Sequence, residues 1–190
     1  MKKLFWVLLM GLSSGLFANT DDIVQDNPQE VIVMTVTHKD GSETKFYWHL
    51  DADNAPNHVA RFKELIRENF YNNAENKMKF HRVIADFMAQ SGDPLGNGTG
   101  GSGQTINSEF TDKPFKLGSI GAARSNDPDS ADSQWFICHA DDSCAHLNGQ
   151  YTHLGYVSLE KEGSAMNKTL QRLLSEIQQD DLMTLAFESM

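Results

Sequence analysis

Residues 80–93 read FHRVIADFMAQSGD, and this stretch decides the fold of the chain. Two apolar runs, 80–84 and 87–90, stand on either side of Ala85 and Asp86. Short apolar runs bounded by turn residues are typical of strands, so the stretch predicts a strand pair with a bend at Ala85 and Asp86. On composition alone, Arg82 within it is compatible with an ordinary residue of an edge strand.

Further strand signals lie on both sides of this stretch. A β-branched run at 31–36 and an alternating run at 45–50 predict a hairpin with its turn at 39–42. Residues 92–108 are rich in Gly, Asn and Ser and predict a long loop. Three later segments also have strand character: 117–123, 134–138 and 151–159.

Two other segments have the periodicity of a helix. Pro56 suits the first turn of a helix, and an apolar stripe follows it in Val59, Phe62, Leu65, Ile66 and Phe70. A second stripe comprises Met166, Leu170, Leu173, Leu174 and Ile177. Many short strands with two helices far apart in sequence predict a mainly β domain, closed on itself, with helices covering its openings.

The N-terminus has the pattern of a secretory signal. Lys2 and Lys3 form a short basic region, and residues 4–16 are apolar apart from Ser and Gly. This apolar run is shorter than a comfortable membrane span. Ala18 suits the last position before cleavage, but Leu16, two residues before it, is larger than usual for that position. An uncleaved anchor is therefore the alternative.

These signals divide the chain into a signal peptide at 1–18, a flexible mature N-terminus at 19–30 and one domain at 31–185. The flanking composition is typical of bacterial proteins, so the expected location is the periplasm. The formal net charge is −10, and it becomes −12 when Lys2 and Lys3 are removed. Such an acidic chain is a poor partner for nucleic acid or an anionic membrane surface.

Two local patterns resemble ligand-binding sites, one for a nucleotide and one for a metal, but each is better explained without a ligand. Residues 96–101 read GNGTGG and match G-x-G-x-x-G, but no strand precedes them and no helix follows, so we expect a tight surface loop and no nucleotide. A cluster in one loop could hold a metal, although a solvated loop is the more common outcome, and we expect no metal. Its members are His139, Asp141, Asp142 and His146.

The chain has two cysteines, Cys138 and Cys144, which lie close together in sequence. In a protein bound for an oxidising compartment a disulfide between them is possible. Two free or buried thiols are the open alternative.

The stretch 80–93 resembles the signature of the cyclophilin family of peptidyl-prolyl cis–trans isomerases. Four further segments match family motifs in the same order: NGTGG at 97–101, EF at 109–110, SQWFI at 133–137 and HLNGQYT at 146–152. The resemblance extends from Val31 to Ile177. It implies a closed eight-stranded antiparallel β-barrel capped by two α-helices, with the substrate groove on the outer surface.

The resemblance also implies an activity. Members of the family isomerise X-Pro bonds without a cofactor. For this chain the expected substrates are proline-containing polypeptides that fold after export, with the protein acting as a monomer and, after signal cleavage, away from the membrane. A barrel that binds proline peptides as a chaperone without turning them over is the alternative.

The site residues follow from the resemblance position by position. Arg82 corresponds to the catalytic arginine and Gln90 to its polar neighbour. The peptide backbone would lie between Ala123 and Gln134. The proline pocket would be lined by Phe87, Met88, Phe136 and Leu147.

Three positions depart from the residues that the family commonly carries. His146 stands where Trp or Phe is common, and Tyr151 stands where His is common; both belong to the expected substrate-binding surface. Trp135 replaces a usual Phe, and we expect it to face away from the pocket because it alternates with Phe136. The departure at His146 predicts weak cyclosporin binding, because His offers less flat apolar area.

Overall fold

The structure is a computed structural model that describes residues 30–72, 78–161 and 168–189. The predicted signal peptide, residues 19–29 of the predicted flexible N-terminus and Met166 of the second helical stripe lie outside the described residues. Glu30 already belongs to the first strand. In chain order the elements are β1 (Glu30–Thr37), β2 (Glu43–Leu50), α1 (Pro56–Arg67), a 3₁₀-helix (Phe70–Asn72), β3 (Met78–Lys79), β4 (Arg82–Ile84), β5 (Met88–Ser91), β6 (Ser119–Ala122), β7 (Trp135–Cys138), a second 3₁₀-helix (Ala145–Leu147), β8 (His153–Ser158), α2 (Lys168–Ser175) and β9 (Leu182–Ser189).

All of these strands form one antiparallel sheet, in the order β3-β9-β1-β2-β8-β6-β7-β5-β4. The predicted hairpin is confirmed as β1 and β2, in which Met34 lies opposite Phe46. The predicted pair within 80–93 is confirmed as β4 and β5, in which Arg82 lies opposite Gln90. β9, which pairs with both β1 and β3, was not predicted from the sequence.

The chain changes its strand partner between β3 and β4, at Phe80. Its N–H donates to the carbonyl of Asp181 at 3.0 Å, and its own carbonyl accepts from the N–H of Asp180 at 2.9 Å. The predicted strand at 80–84 is therefore divided, so that β3 pairs with β9 and β4 pairs with β5. The fold prediction is confirmed as mainly β, antiparallel and carrying two helices, but the described sheet has nine strands with two short ones at its ends.

The main core lies between the concave face of the sheet and the two helices. Trp48 and Trp135 meet edge to face there, with ring centroids 4.8 Å apart. Of the predicted first stripe, Phe62, Leu65 and Ile66 pack on this core from α1, whereas Phe70 lies beyond the end of α1, in the 3₁₀-helix. In α2, Leu170 and Leu174 are buried. Burial of such side chains is the largest favourable contribution to folding.

A carboxylate from a distant loop caps the first turn of α1. Residue Ala55, which precedes the helix, has no side chain able to accept a hydrogen bond, and the backbone N–H groups of Asn57 and His58 donate instead to the carboxylate of Glu109, each at 3.0 Å. The imidazole Nδ1 of His58 lies 2.6 Å from the same carboxylate. Burial acts to raise the pKa of Glu109, but the backbone N–H donors outweigh it and hold that pKa below its ordinary value.

We expect Glu109→Ala to lower the free energy of unfolding by about 2 kcal/mol, because two helix N–H groups and a buried imidazole lose a charged acceptor. Glu109→Gln should cost less, since one oxygen remains. Urea denaturation measures both, with Glu160→Ala as the control at an exposed glutamate. Equal stability of Glu109→Ala and Glu160→Ala would contradict the capping role.

Candidate active site

The two faces of β7 serve two different clusters. Trp135 packs in the main core, whereas Phe136 belongs to a second apolar cluster, as the predicted alternation requires. Met88, buried on the neighbouring β5, and Phe115 complete the floor of this cluster. Gly121 on β6 permits the arrangement, because a Cβ atom there would lie 2.3 Å from the Phe136 ring.

A cleft of about 300 Å³ opens above this floor on the outer face of the sheet. The structure brings together nine of the ten predicted site residues here, and Gln134 lines an adjoining groove. The residues that line the cleft are Arg82, Phe87, Met88, Gln90, Ala123, Arg124, Phe136, His146, Leu147 and Tyr151. A buried apolar floor beside an exposed guanidinium suits the pyrrolidine ring of proline and a nearby polar group.

A chain of side-chain amides leads to the guanidinium of Arg82. The amide nitrogen of Gln134 donates to the carbonyls of Gly98 and Gly100, at 3.1 and 2.8 Å. Its oxygen therefore faces Gln90, whose amide nitrogen donates to it at 2.9 Å. The oxygen of Gln90 then accepts from Nη1 of Arg82 at 3.4 Å. Because carbonyls only accept and a guanidinium only donates, the orientation of both glutamine amides is determined.

The glycine-rich loop at 96–101 provides the two carbonyls that bind Gln134. The loop is itself fixed by hydrogen bonds to the carboxylate of Asp93. The backbone N–H groups of Leu95, Asn97 and Gly98 donate to the carboxylate of Asp93. A Cβ atom at Gly100 would lie 2.1 Å from that carboxylate, which explains a glycine there. Burial acts to raise the pKa of Asp93, but these donors hold it below its ordinary value. The loop is thus a support for Gln134, consistent with the expected surface loop.

One cleft residue, Arg124, is not among those predicted from the sequence. It lines both the cleft and the adjoining groove, and its guanidinium lies over the ring of Tyr151, 4.5 Å from the centroid. Tyr151 in turn meets Phe136 edge to face at 5.7 Å. The position next to Ala123 was the only available signal in the sequence.

The structure joins Cys138 and Cys144 by a disulfide, and both residues are fully buried. Cys138 lies opposite Met88 in the sheet, and Cys144 immediately precedes the 3₁₀-helix that carries His146 and Leu147. The bond therefore links the floor of the cleft to its rim. The oxidation state of the pair in the cell remains a prediction.

The loop cluster weighed above as a metal site does not form one in the structure. No group of three His, Cys, Asp or Glu residues among those described is placed to hold a metal ion. His139 is buried and Asp141 accepts from the backbone N–H of Leu117, whereas His146 lies over Phe87 with ring centroids 5.1 Å apart. These side chains serve the loop and the rim of the cleft.

Two buried histidines make stability depend on pH. Burial lowers the pKa of both His139 and His153 from 6.5 to about 4. Between pH 6.5 and about pH 4, the imidazole of the unfolded chain is protonated while that of the folded chain stays neutral. Stability is therefore complete above pH 6.5 and is lost as the pH falls toward 4.

We expect each ring to cost about 2 kcal/mol of unfolding free energy by about pH 5. Urea denaturation across this pH range measures the slope. His139→Phe removes one titrating ring and should flatten that slope. A slope unchanged by this substitution would show that other groups govern the acid response.

Known proteins similar to this chain include bacterial enzymes. A protein of Brucella suis biovar 1 named a probable peptidyl-prolyl cis-trans isomerase is 42% identical over 143 residues, 69% of this chain and 67% of that protein. A peptidyl-prolyl cis-trans isomerase of Helicobacter pylori strain J99 is 35% identical over 154 residues, 80% of this chain and 89% of that protein. The crystal structure of a Cryptosporidium parvum cyclophilin type isomerase matches with a TM-score of 0.63 at 22% identity, over 84% of this chain and 99% of the other, which supports the fold.

The site is an exposed arginine beside a buried apolar floor, on the outer face of an antiparallel sheet. The family model for "Cyclophilin type peptidyl-prolyl cis-trans isomerase/CLD" matches residues 33–184. This chain belongs to the cyclophilin-type peptidyl-prolyl cis–trans isomerase family. It is an isomerase of X-Pro bonds, and the binding-only alternative is not favoured. Among the described residues no helix is long and apolar enough to cross a membrane.

Proposed function

We propose that the cleft isomerises X-Pro bonds of exported polypeptides during their folding, with Arg82 as the catalytic residue. The observation that carries the proposal is the position of an exposed guanidinium beside the buried pair Met88 and Phe136. The amide of Gln90 restrains this guanidinium, which also lies 3.8 Å from the sulfur of Met88.

The mechanism follows from the electronic structure of the X-Pro bond. Its rotation barrier is about 18–20 kcal/mol because resonance gives the C–N bond partial double-bond character. In the twisted transition state the prolyl nitrogen becomes pyramidal and regains a lone pair. Arg82 donates a hydrogen bond to that nitrogen, which stabilises the twisted state over the planar one. The apolar floor holds the pyrrolidine ring while the preceding carbonyl rotates.

Arginine suits this role better than lysine. Its guanidinium stays charged and holds its donors in one plane, so one donor can contact Gln90 while another contacts the prolyl nitrogen. Exclusion of water by the bound proline strengthens the contact, because the local dielectric constant falls. No cofactor enters the reaction.

Export into the periplasm is part of the proposal, and it rests on the signal pattern at 1–18. A periplasmic location also suits the disulfide, since disulfides persist in oxidising compartments. Mass spectrometry of protein recovered from the periplasm should find an N-terminus at or near Asn19. Recovery of the full-length chain from the cytoplasm alone would contradict export. Thiol counting on the denatured, unreduced protein decides the state of the two cysteines.

We further propose that the sheet closes into a barrel through the chain itself and that the protein acts as a monomer. β3 and β4 stand at opposite ends of the sheet, yet only Phe80 and His81 separate them. The hydroxyl of Ser91 on β5 donates to the carbonyl of Lys79 on β3 at 2.9 Å, which supports closure at this seam. Light scattering tests the monomer, and slow amide exchange at the seam would support closure.

The isomerase assay on a proline-containing peptide tests the central proposal. Purified protein should accelerate cis–trans exchange, which takes tens to hundreds of seconds when uncatalysed. Binding of the peptide without acceleration would favour the chaperone alternative.

A further inference from the structure

Arg124 carries a positive charge that faces no carboxylate partner among the described residues. Neither Arg82 nor Arg124 forms an ion pair with a carboxylate among the residues that the structure describes. Both nevertheless line one cleft of about 300 Å³, in a chain whose net charge is −10. Two arginines that line one cleft in an acidic protein point to a ligand that supplies negative charge.

Neutral groups hold the guanidinium of Arg124 in position. Its Nε and Nη2 donate to the carbonyl of Gln150 at 3.1 and 2.9 Å, and its Nη1 donates to the carbonyl of Ser125 at 2.8 Å. The rings of Tyr151 and Phe110 lie 4.5 and 5.8 Å from its central carbon. A guanidinium has five N–H groups, so two of them remain for a ligand.

The acidic residues that follow Arg124 in the chain are occupied elsewhere. The carboxylate of Asp129 accepts from the N–H and hydroxyl of Ser108, and that of Asp132 accepts from Ser102 and from the N–H of Gly103. The carboxylate of Asp127 accepts from the N–H of Asp129. These hydrogen bonds direct the three carboxylates to the loop backbone and hydroxyls.

The position of Arg124 matters because it lies between two cavities. One is the cleft proposed to hold proline, and the other is the adjoining groove, whose lining includes Gly98, Ser125 and Gln134. Asp132 also lines this groove, but its carboxylate accepts hydrogen bonds from Ser102 and Gly103. A peptide with its proline in the cleft and its next residues in the groove must pass Arg124. In the proposed mechanism Arg82 contacts the reacting bond. Arg124 is then the arginine that can contact the side chains next to the proline.

We propose that Arg124 is a specificity-determining residue that favours substrates with a carboxylate side chain close to the proline. The inference rests on the proposed function of the cleft. The overall negative charge of the protein opposes an acidic peptide at long range, but salt screens that repulsion beyond about 10 Å at ~0.1 M ionic strength. A contact with Arg124 acts at much shorter range and therefore prevails.

The test compares peptides that are identical except for Glu or Gln at each of the two positions before and after proline. At one or more positions, wild-type kcat/KM should be about three- to fivefold higher for the Glu peptide, the upper range for a partly exposed ion pair. At ~1 M salt, where screening acts over about 3 Å, this ratio should approach one. Each ratio is internal to one protein, so a general loss of activity cancels.

Three variants assign the effect to the residue. Arg124→Gln should bring the Glu/Gln ratio to about one, whereas Arg124→Lys should keep most of it because the charge remains. Arg172→Gln is the matched control, since it removes an arginine charge from α2 outside the cleft. Circular dichroism verifies that each variant is folded.

Two results would overturn the inference: no Glu preference at any position in the wild type, or a preference that survives Arg124→Gln. Turnover without a Glu preference leaves the proposed isomerase intact and rejects only the role of Arg124. If no peptide were turned over, the proposed function would fail instead. The Glu/Gln ratio of dissociation constants, measured by titration with the same peptides, would then decide on Arg124.

Discussion

Replacement of Arg82 by alanine is expected to lower kcat/KM by about two to three orders of magnitude, or roughly 3–4 kcal/mol of transition-state stabilisation. The variant loses the donor to the prolyl nitrogen. Arg124 also lines the cleft, but hydrogen bonds to Gln150 and Ser125 fix its guanidinium in its own place. Gln90→Ala should cost less, since Gln90 orients the guanidinium and does not itself donate to the bond.

The conservative variant sharpens this prediction. Arg82→Lys should also be poor, because an ammonium group cannot contact Gln90 and the prolyl nitrogen in one plane. The fold should survive both changes, since Arg82 is exposed and belongs to neither apolar cluster. A proline-peptide assay measures turnover, with circular dichroism as the folding control. A folded Arg82→Ala variant with wild-type turnover would leave the arginine mechanism without support.

Replacement of Phe136 by alanine is the second large effect, and it should differ in kind. Phe136 is 4% exposed and packs against Phe115 and Tyr151, at ring-centroid distances of 5.6 and 5.7 Å. Its loss removes part of the apolar floor of the proline pocket, so KM should rise and kcat should fall. Stability should also fall by about 3–5 kcal/mol, the usual cost of truncating a buried aromatic side chain.

Phe136→Leu separates the two consequences. Leucine restores most of the apolar volume, so it should recover most of the stability while the proline site stays impaired through the loss of a flat ring. Urea denaturation gives the stability and the peptide assay gives KM and kcat separately. A Phe136→Ala variant whose KM matched that of the wild type would place proline elsewhere.

Local patterns predicted much of this fold. The alternating run of β2 and the apolar stripe of α1 each bury one face, so their periodicity is visible in the sequence. β9 was missed although Met183 and Leu185 alternate as buried residues, because apolar Leu182 and Ala186 on the opposite face weaken the contrast between its faces. The break at Phe80 depends on hydrogen bonds to residues a hundred positions away, which no local pattern records.

The candidate site divides in the same way. Gln90 and Phe136 belong to contiguous motifs and were predicted from the resemblance. Arg124 gains its place from the carbonyl of Gln150 and the ring of Tyr151, which meet it only in the folded chain. The function of Glu109 as a cap for α1 likewise depends on a contact across 52 residues. The roles that could not be predicted are those of residues whose partners are distant in sequence.

The short strands at the two ends of the sheet, β3 and β4, affect how readily other polypeptides can pair with it. An isomerase of folding chains works among extended polypeptides whose backbones seek a partner, and a long open edge strand would recruit them into intermolecular β-structure. β3 and β4 are only two and three residues long, and β4 carries the charged Arg82. Edges this short are poor templates for aggregation. The proposed closure at Lys79 and Ser91 covers even these short edges, so the sheet leaves little backbone free to pair with an extended polypeptide.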